Sequence, residues 1–498
     1  MKIIDQEVRN SILADNKPYL LVDASAGAGK TTIMVEKSNW YIHFGHVENY
    51  QQVLMITFTR LATRQIRDKV EELLRKKETE YIKPEYIKNF NIKTTEAFIN
   101  SEVIRPFVRD ALGRDFPEED FLTNYYDNFH SYEAGKKKLK ESKVLGAYSN
   151  KRKNFSYELA LDILKKSYNA REYLKARYPI IMIDEYQDVD ADMHKLFMYL
   201  KNTLKIQLFI VGDIKQGLYG FKGADPEIFQ SLSKIEQFKS YQLINNFRSH
   251  ASIIDYSYQF FESNFEVDFK EDKVFLYNSG VGSTEFLSYI NKYPDESVAY
   301  LFSRRNQWFA NQDIWEENNF VYLDNPPLDS GFPNFDILEP VLKIYHDHEN
   351  YNIFEMLDDI NVDLTANNLI LAERIQIHLS SKSVKVFEVI QKLSNKKVSA
   401  SEKTAFQESQ NEKWKPNFSK KKIKKVAMTI HAAKGLEFDH VYINADSFYP
   451  PSTFHGPSSL NKEQHYVAIT RPKKSLSIEL NSKYKGLLVE KRILEQEN

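Results

Sequence analysis

The 498-residue chain contains no cysteine. That excludes a disulfide framework, a thiolate nucleophile, an iron–sulfur cluster and a cysteine zinc site. A reducing, cytoplasmic location fits. Long apolar runs are missing as well. Ile180 to Ile183 and Leu208 to Val211 stop after a few residues, far short of a bilayer-spanning helix, so no membrane partner is expected. Met1 to Asn10 lacks the basic region and apolar stretch of a secretion signal. Neither charge predominates: 68 Lys plus Arg face 69 Asp plus Glu, a formal charge of -1. Any nucleic-acid surface must therefore come from local patches. What is present is a globular composition, 42% hydrophobic and 28% charged, in a length that suits about three domains.

Two segments depart from neutrality. Between Ser131 and Phe155, Lys136, Lys137, Lys138, Lys140, Lys143, Lys151, Arg152 and Lys153 outnumber Glu133 and Glu141. From Lys420 to Lys425 only Ile423 interrupts a run of lysines. A solvated face explains such runs, and so does contact with the phosphates of a nucleic acid; charge alone does not choose. Elsewhere short apolar runs alternate with helix-periodic segments. Tyr19 to Val22, Val53 to Phe58, Ile180 to Ile183 and Leu208 to Val211 read as buried parallel strands. A second set comprises Val298 to Phe302, Val426 to Ile430, Val441 to Asn444 and Leu476 to Leu480. Two such sets predict two α/β domains with crossover helices. The series is broken by insertions at 96–165 and 346–424, each of which holds one lysine cluster.

Ala24 to Thr31 reads Ala-Ser-Ala-Gly-Ala-Gly-Lys-Thr directly after the first strand. A phosphate loop needs small residues so that backbone N–H groups converge on phosphate oxygens. It also needs a lysine at the helix start and a hydroxyl for Mg²⁺. Ala26, Gly27, Ala28, Gly29, Lys30, Thr31 and Thr32 meet that need, although Ala24 stands where the general pattern has glycine. Asp184 and Glu185 follow the strand Ile180 to Ile183, at the end of a parallel strand where ligands of open sheets bind. In that place Asp184 suits Mg²⁺, and Glu185 suits a proton acceptor for an attacking water.

Further motifs follow in order. Ile56-Thr57-Phe58-Thr59-Arg60 precedes a helix with Ala62, Gln65 and Ile66, and Asp184 to Asp188 reads Asp-Glu-Tyr-Gln-Asp. Gly212 to Ala224 contains Asp213, Gln216, Tyr219, Phe221 and Lys222. Then come Asn246-Phe247-Arg248-Ser249, Thr429 to Phe438 with His431, Lys434 and Glu437, and Tyr466-Val467-Ala468-Ile469-Thr470-Arg471. Nearly end to end, this series resembles the superfamily 1 DNA helicases of the UvrD/Rep/PcrA type. The resemblance implies an α/β fold of two RecA-like phosphate-loop domains (1A, 2A) with inserted, mainly helical subdomains (1B and a reduced 2B). The corresponding boundaries are 1–95 plus 166–250 for 1A, 96–165 for 1B, 251–345 plus 425–498 for 2A, and 346–424 for the reduced 2B-like insert. It implies ATP and Mg²⁺ as cofactors and 3'→5' movement on single-stranded DNA. By motif, Gln6 would read the adenine edge, Phe247 would stack on its ring, and Glu437 would lie near the nucleotide. Lys30 and Thr31 would hold phosphate and metal, with Asp184 as the other metal residue. Gln216 would sense the γ-phosphate, and Arg248 and Arg471 would act as arginine fingers.

For a strand read without regard to sequence, aromatic platforms and positive charge suffice. Phe58, Tyr219 and Phe221 match family positions lining the DNA path, with Thr95, Lys222 and His431 as sugar–phosphate candidates; His431 reads equally well as a buried histidine. Lys222 replaces an arginine and loses its planar fork. Lys462-Glu463-Gln464-His465 replaces a more acidic, arginine-containing lead, and Pro472 follows Arg471 where alanine is usual. The insert 346–424 is small for a 2B domain, and 27 residues follow Arg471, too few for a C-terminal nuclease. This outline also resembles the helicase-like subunit of Gabija-type anti-phage systems, which works with a nuclease partner. Tailed or ended duplex DNA then joins single-stranded DNA as an expected partner. A DNA-end-sensing ATPase that regulates a nuclease stands as the alternative to a helicase.

Overall fold

A computed structural model of the chain describes residues 5–58, 62–63, 66–67, 69–70, 72–73, 89–117, 121–150, 153–217, 226–260, 270–310, 312–324, 326–328, 332, 334–360, 362, 364–394, 396–419, 423–449, 460–491 and 493–494. Each apolar run expected to be a strand is one. The strands are β1 (Tyr19–Ala24), β2 (Val53–Thr57), β3 (Phe90–Thr94), β4 (Leu122–Phe129), β5 (Val144–Tyr148), β6 (Ile180–Ile183) and β7 (Gln207–Gly212). After them come β8 (Lys239–Leu243), β9 (Val274–Tyr277), β10 (Val298–Phe302), β11 (Val321–Tyr322), β12 (Lys425–Thr429), β13 (Phe438–Asn444) and β14 (Pro472–Glu479).

Six strands form a sheet in the order β3-β2-β6-β7-β1-β8, and every neighbouring pair in it is parallel. Successive residues of a strand point to opposite faces, and the packing follows that rule. Leu21, Leu54, Ile56, Ile181, Ile183, Leu208 and Ile210 join one hydrophobic core. Leu20, Val22, Val53, Met55, Ile180, Met182, Phe209 and Val211 join another, with Ile33, Met34 and Val35 of the helix Lys30–His43. Burial on both faces explains why these strands read as continuous apolar runs. In such a sheet all strand ends of one sense lie along one edge, so the loops after β1, β6 and β7 come together.

Contacts divide the chain into two compact units. The first comprises residues 1–294, 301–305 and 429–498, the second 295–300 and 306–428. Besides the sheet above, the first unit contains β13, β14 and β9, paired in parallel in that order. Its stretch from Thr95 to Lys166 is mostly helical, apart from β4 and β5, which pair with each other. In the second unit β11 pairs with β12. The helices Phe335–Asp347, Ile353–Asp359, Ala366–Ser380, Val386–Ser394 and Ala400–Ser409 enclose a core that includes Leu338, Leu342, Met356, Ile375, Ile390 and Phe406. Two of these helices start on complete capping boxes, Asn352 with Glu355 and Ser399 with Glu402, which satisfy N–H groups the first turn leaves without partners.

In the helix Tyr132–Ser142, Gly135 lets two rings approach the backbone. A Cβ there would stand 2.5 Å from Phe155 and 2.6 Å from Phe129, below any real van der Waals contact. Gly135→Ala gains helix propensity but overpacks this core. It is expected to lower unfolding free energy by about 1–3 kcal/mol, read by urea denaturation.

Candidate nucleotide site

The phosphate loop begins where β1 ends. Gly27 and Gly29 take φ of +73° and +77°, a region that L side chains rarely adopt. Space is as restrictive as backbone conformation: a Cβ on Gly27 would collide with Asn246 Oδ1, and one on Gly29 would meet the Arg9 guanidinium at 2.9 Å. Lys30 opens the following helix, and its Nζ donates to Ala24 O at 3.2 Å and lies 3.8 Å from Asp213 Oδ2. The Asn-Phe-Arg-Ser segment lies directly against the loop. Phe247 N donates to Gly27 O at 3.0 Å, while Asn246 Oδ1 accepts from the N–H groups of Arg248 and Ser249. The Phe247 ring is 53% exposed and faces the Arg9 guanidinium at 5.3 Å, an apolar platform beside the cradle. Arg9 also donates to Ala28 O.

Asp184 and Glu185 follow β6; Asp184 is buried and Glu185 half-buried. Glu185 has φ 51° and ψ 42°, the left-handed region that a residue with a Cβ occupies only when its surroundings impose it. Gln187 helps to impose it. Its Nε2 donates to Glu185 Oε2 at 2.5 Å, and its Oε1 accepts from Asp213 N at 2.9 Å, which fixes the carboxylate relative to the β7 loop. Burial, then the charge of Glu185, pushes the Asp184 carboxyl up to about 7. Burial works the same way on Glu185, but Lys30, Lys434 and the Gln187 hydrogen bond outweigh it and hold that carboxyl below its usual value. An acid pair whose carboxyl titrates near neutrality, through burial first and the neighbouring charge second, is short of positive charge. That is the environment a divalent cation suits, and Asp184 and Thr31, at the start of the phosphate-loop helix, fit it.

Opposite these groups stand three cations. Arg471 is 1% exposed. Its guanidinium donates to Val467 O at 2.9 Å, Thr470 Oγ1 at 3.1 Å, Leu436 O at 3.3 Å and Gln216 Oε1 at 3.5 Å. Burial and then Arg248 draw it down to about 10, so it stays charged at neutral pH. Arg248 Nη2 pairs with Glu437 Oε1 at 2.6 Å, and Nη1 donates to Thr470 O at 3.4 Å. Lys434 Nζ reaches both Asp188 oxygens, at 2.8 and 2.6 Å, and Gln216 O at 2.8 Å. Gln216 Nε2 in turn donates to Asp213 Oδ2 at 2.5 Å. One network thus joins Lys30, Asp213, Gln216, Arg471 and Lys434.

The structure therefore brings together Ala26 to Thr32, Asp184, Glu185, Gln216, Phe247, Arg248, Glu437 and Arg471. Gln6 is exposed and donates to Asn10 within its own helix at 3.1 Å. Phe58 is half-buried against the core, Thr95 is buried, and His431 is half-buried. Tyr219, Phe221 and Lys222 lie outside the described residues. Of the lysine clusters, Lys136 pairs with Glu133, Lys140 with Asp115 and Lys424 with Asp295, as a solvated face would. Sequence reasoning missed Arg9, Lys69, Gln187 and the Lys434–Asp188 pair. Lys69 Nζ donates to Thr32 Oγ1 at 3.2 Å. Gln187, Asp188 and Lys434 stood inside quoted motifs; Arg9 and Lys69 carried no signal beyond lying on helices next to motifs.

Residues 9–222 match the AAA domain family and residues 381–483 the UvrD-like helicase C-terminal domain. The chain is 36% identical to the Gabija protein GajB of Bacillus cereus (strain VD045), over 95% of each chain. It is 37% identical to the exonuclease/helicase protein RexA of Lactococcus lactis subsp. cremoris (strain MG1363), over 23% of this chain and 10% of the relative. Identity to the RecBCD enzyme subunit RecB of Buchnera aphidicola is 36%, over 24% of this chain and 9% of that one.

The Lys434–Asp188 pair yields a stability test. Removing one partner of a buried ion pair costs about 3–5 kcal/mol, so Lys434→Met is expected to lose that much at pH 8. Burial already raises the Asp188 carboxyl to about 7 against the pull of Lys434; without the lysine it rises further. A carboxyl whose folded pKa exceeds its unfolded value destabilises as pH climbs between the two. The variant's deficit should accordingly shrink as pH falls from 8 towards 5, measured by urea unfolding at each pH.

Proposed function

The chain belongs to the UvrD-like helicases, in the family of the Gabija protein GajB, and from that premise we infer that it hydrolyses ATP on single-stranded DNA and moves 3'→5' along the strand as a translocase and helicase. It is an ATP-dependent helicase-family enzyme. The observation that carries the finer reading is the network in which Lys30 and Glu185 are linked through Asp213, Gln187 and Gln216 to Arg471, with Arg248 on the neighbouring Thr470 carbonyl. Such an array matches in-line phosphoryl transfer to water. In this reading the 26–31 amides and Lys30 bind the β- and γ-phosphates, and Phe247 stacks on the base. Glu185, oriented by Gln187, takes the proton of the attacking water. Arg248 and Arg471 stabilise charge on the transferring group. Thr31 and Asp184 would hold Mg²⁺, which when bound neutralises phosphate charge. The division into 1A, 1B, 2A and a reduced 2B belongs to the same proposal, as do DNA contacts by Phe58, Thr95, Tyr219, Phe221, Lys222 and His431.

A second reading is favoured by the extent of the similarities. The RexA and RecB relatives match about a quarter of the chain, whereas the Gabija protein matches over 95% of it. On this reading the chain is an ATPase that senses DNA ends and regulates a nuclease partner in anti-phage defence.

Both readings predict that single-stranded DNA raises ATP turnover, by about 5–150-fold for an ordinary coupling free energy, and that Lys30→Ala abolishes it. Glu185→Gln should slow turnover by about 10²–10⁴-fold while nucleotide still binds. Equal turnover with and without DNA would count against both. Strand displacement on a 3'-tailed but not a 5'-tailed duplex supports the helicase. ATPase without displacement, with a nuclease co-purifying, supports the regulator.

A further inference from the structure

The motif Tyr-Val-Ala-Ile-Thr-Arg contributes more to the site than its final arginine. Its tyrosine, Tyr466, lies on the helix Lys462–Ile469, is 2% exposed, and its hydroxyl accepts the Ala26 N–H at 3.3 Å. Ala26 belongs to the phosphate loop, so a residue 440 positions away occupies one of the donors on which a triphosphate would draw. Lys215 stands 5.9 Å from the ring, and burial followed by the charge of Asp213 raises the phenol far above its usual value, so the hydroxyl keeps its proton.

The same helix leads directly into Arg471, which donates to Val467 O one residue after Tyr466 and caps the helix end through Thr470. Its other side is anchored. His465 Nε2 meets Tyr484 Oη at 2.6 Å, and Tyr484 Oη meets Tyr256 Oη at 2.7 Å, with Phe260 and Phe448 packed on the imidazole. A helix held this way moves as a piece, and a force on Tyr466 is felt at Arg471.

We propose that Tyr466 is a positioning residue whose hydroxyl competes with the triphosphate for the Ala26 N–H, so that occupancy of the phosphate loop releases the helix and re-aims Arg471. The proposal rests on the ATPase reading above. Without nucleotide the tyrosine satisfies a buried donor and holds Arg471 in its present bonds to Val467, Thr470, Leu436 and Gln216. When phosphate oxygen takes over the N–H, that restraint is lost and the guanidinium is free to turn towards the transferring group.

Loss of the hydroxyl should therefore have the opposite sign to ordinary damage. Tyr466→Phe removes one neutral hydrogen bond, normally worth a factor of about five, from the nucleotide-free state only. Titration with a non-hydrolysable ATP analogue is expected to show Kd falling about fivefold. At sub-saturating ATP, DNA-free turnover should rise through a lower KM with kcat unchanged, so the stimulation by single-stranded DNA at that ATP concentration should shrink. Placing 3,5-difluorotyrosine at position 466 keeps the ring's shape and weakens its oxygen as an acceptor, so affinity should move in the same direction by a smaller factor. Unchanged or weaker analogue binding in both variants would overturn the proposal, whether or not thermal unfolding shifts for Tyr466→Phe. The reading beneath it fails separately: a parent protein without DNA-stimulated turnover removes the ATPase premise before either variant is compared.

Discussion

Everything in the site depends on keeping charge out of water at the carboxyl end of one parallel sheet. Asp184, Asp188 and Arg471 are each less than a tenth exposed, and Glu185 sits among them. Bare ions in such surroundings would cost several kcal/mol apiece, a cost that only close pairing and hydrogen bonding offset. The observed arrangement supplies both: Lys434 on Asp188, Gln187 on Glu185, and carbonyls and Gln216 around Arg471. One position stays deficient, since burial and then the charge of Glu185 raise the Asp184 carboxyl to about 7. Such an imbalance suits added positive charge, which is what the proposed metal–triphosphate complex would bring.

Topology explains how residues so far apart in sequence reach one place. A parallel sheet aligns the ends of β1, β6 and β7, so the phosphate loop, the acid pair and the Asp213–Gln216 turn are neighbours without special contacts. The segments 246–248, 434–437 and 466–471 then close over them. These later segments touch the loop through backbone and side chains, the Asn246 carboxamide beside Gly27 and the Tyr466 hydroxyl on Ala26 N–H. Glycine at 27 is therefore demanded twice, by its positive φ and by the carboxamide lying against it.

Much of this was legible in the residues. Runs such as Ile180–Ile183 read as strands buried on both faces, and the small-residue loop before Lys30, placed between a strand and a helix, read as a phosphate cradle. The polar edge strand β8, Lys-Ser-Tyr-Gln-Leu, escaped because it is exposed for most of its length and carries no apolar run. The Lys434–Asp188 pair escaped for another reason. Each residue lay inside a recognised motif, but nothing local says that two charges 246 positions apart share one buried contact. Arg9 is hidden similarly, as one charged residue on the helix that carries Gln6; its significance comes from the glycine and the ring it covers.

Gln216 sits where nucleotide and nucleic acid would have to communicate. Its carbonyl accepts from Lys434, its amide nitrogen is held by Asp213, and its amide oxygen meets Arg471. Three residues further along the chain comes Tyr219, then Phe221 and Lys222, the positions assigned to a DNA strand. On that proposed assignment the residues that would meet a base follow closely in sequence on Gln216, which is bonded to Asp213, Lys434 and Arg471. On the proposed roles coupling needs no long pathway, because Gln216 and Tyr219 are three residues apart in the chain. A domain elsewhere in the chain can enlarge the grip on duplex DNA without being part of that linkage. On the second reading proposed above, a chain with a small insert in place of such a domain would keep DNA-stimulated hydrolysis and lose only unwinding.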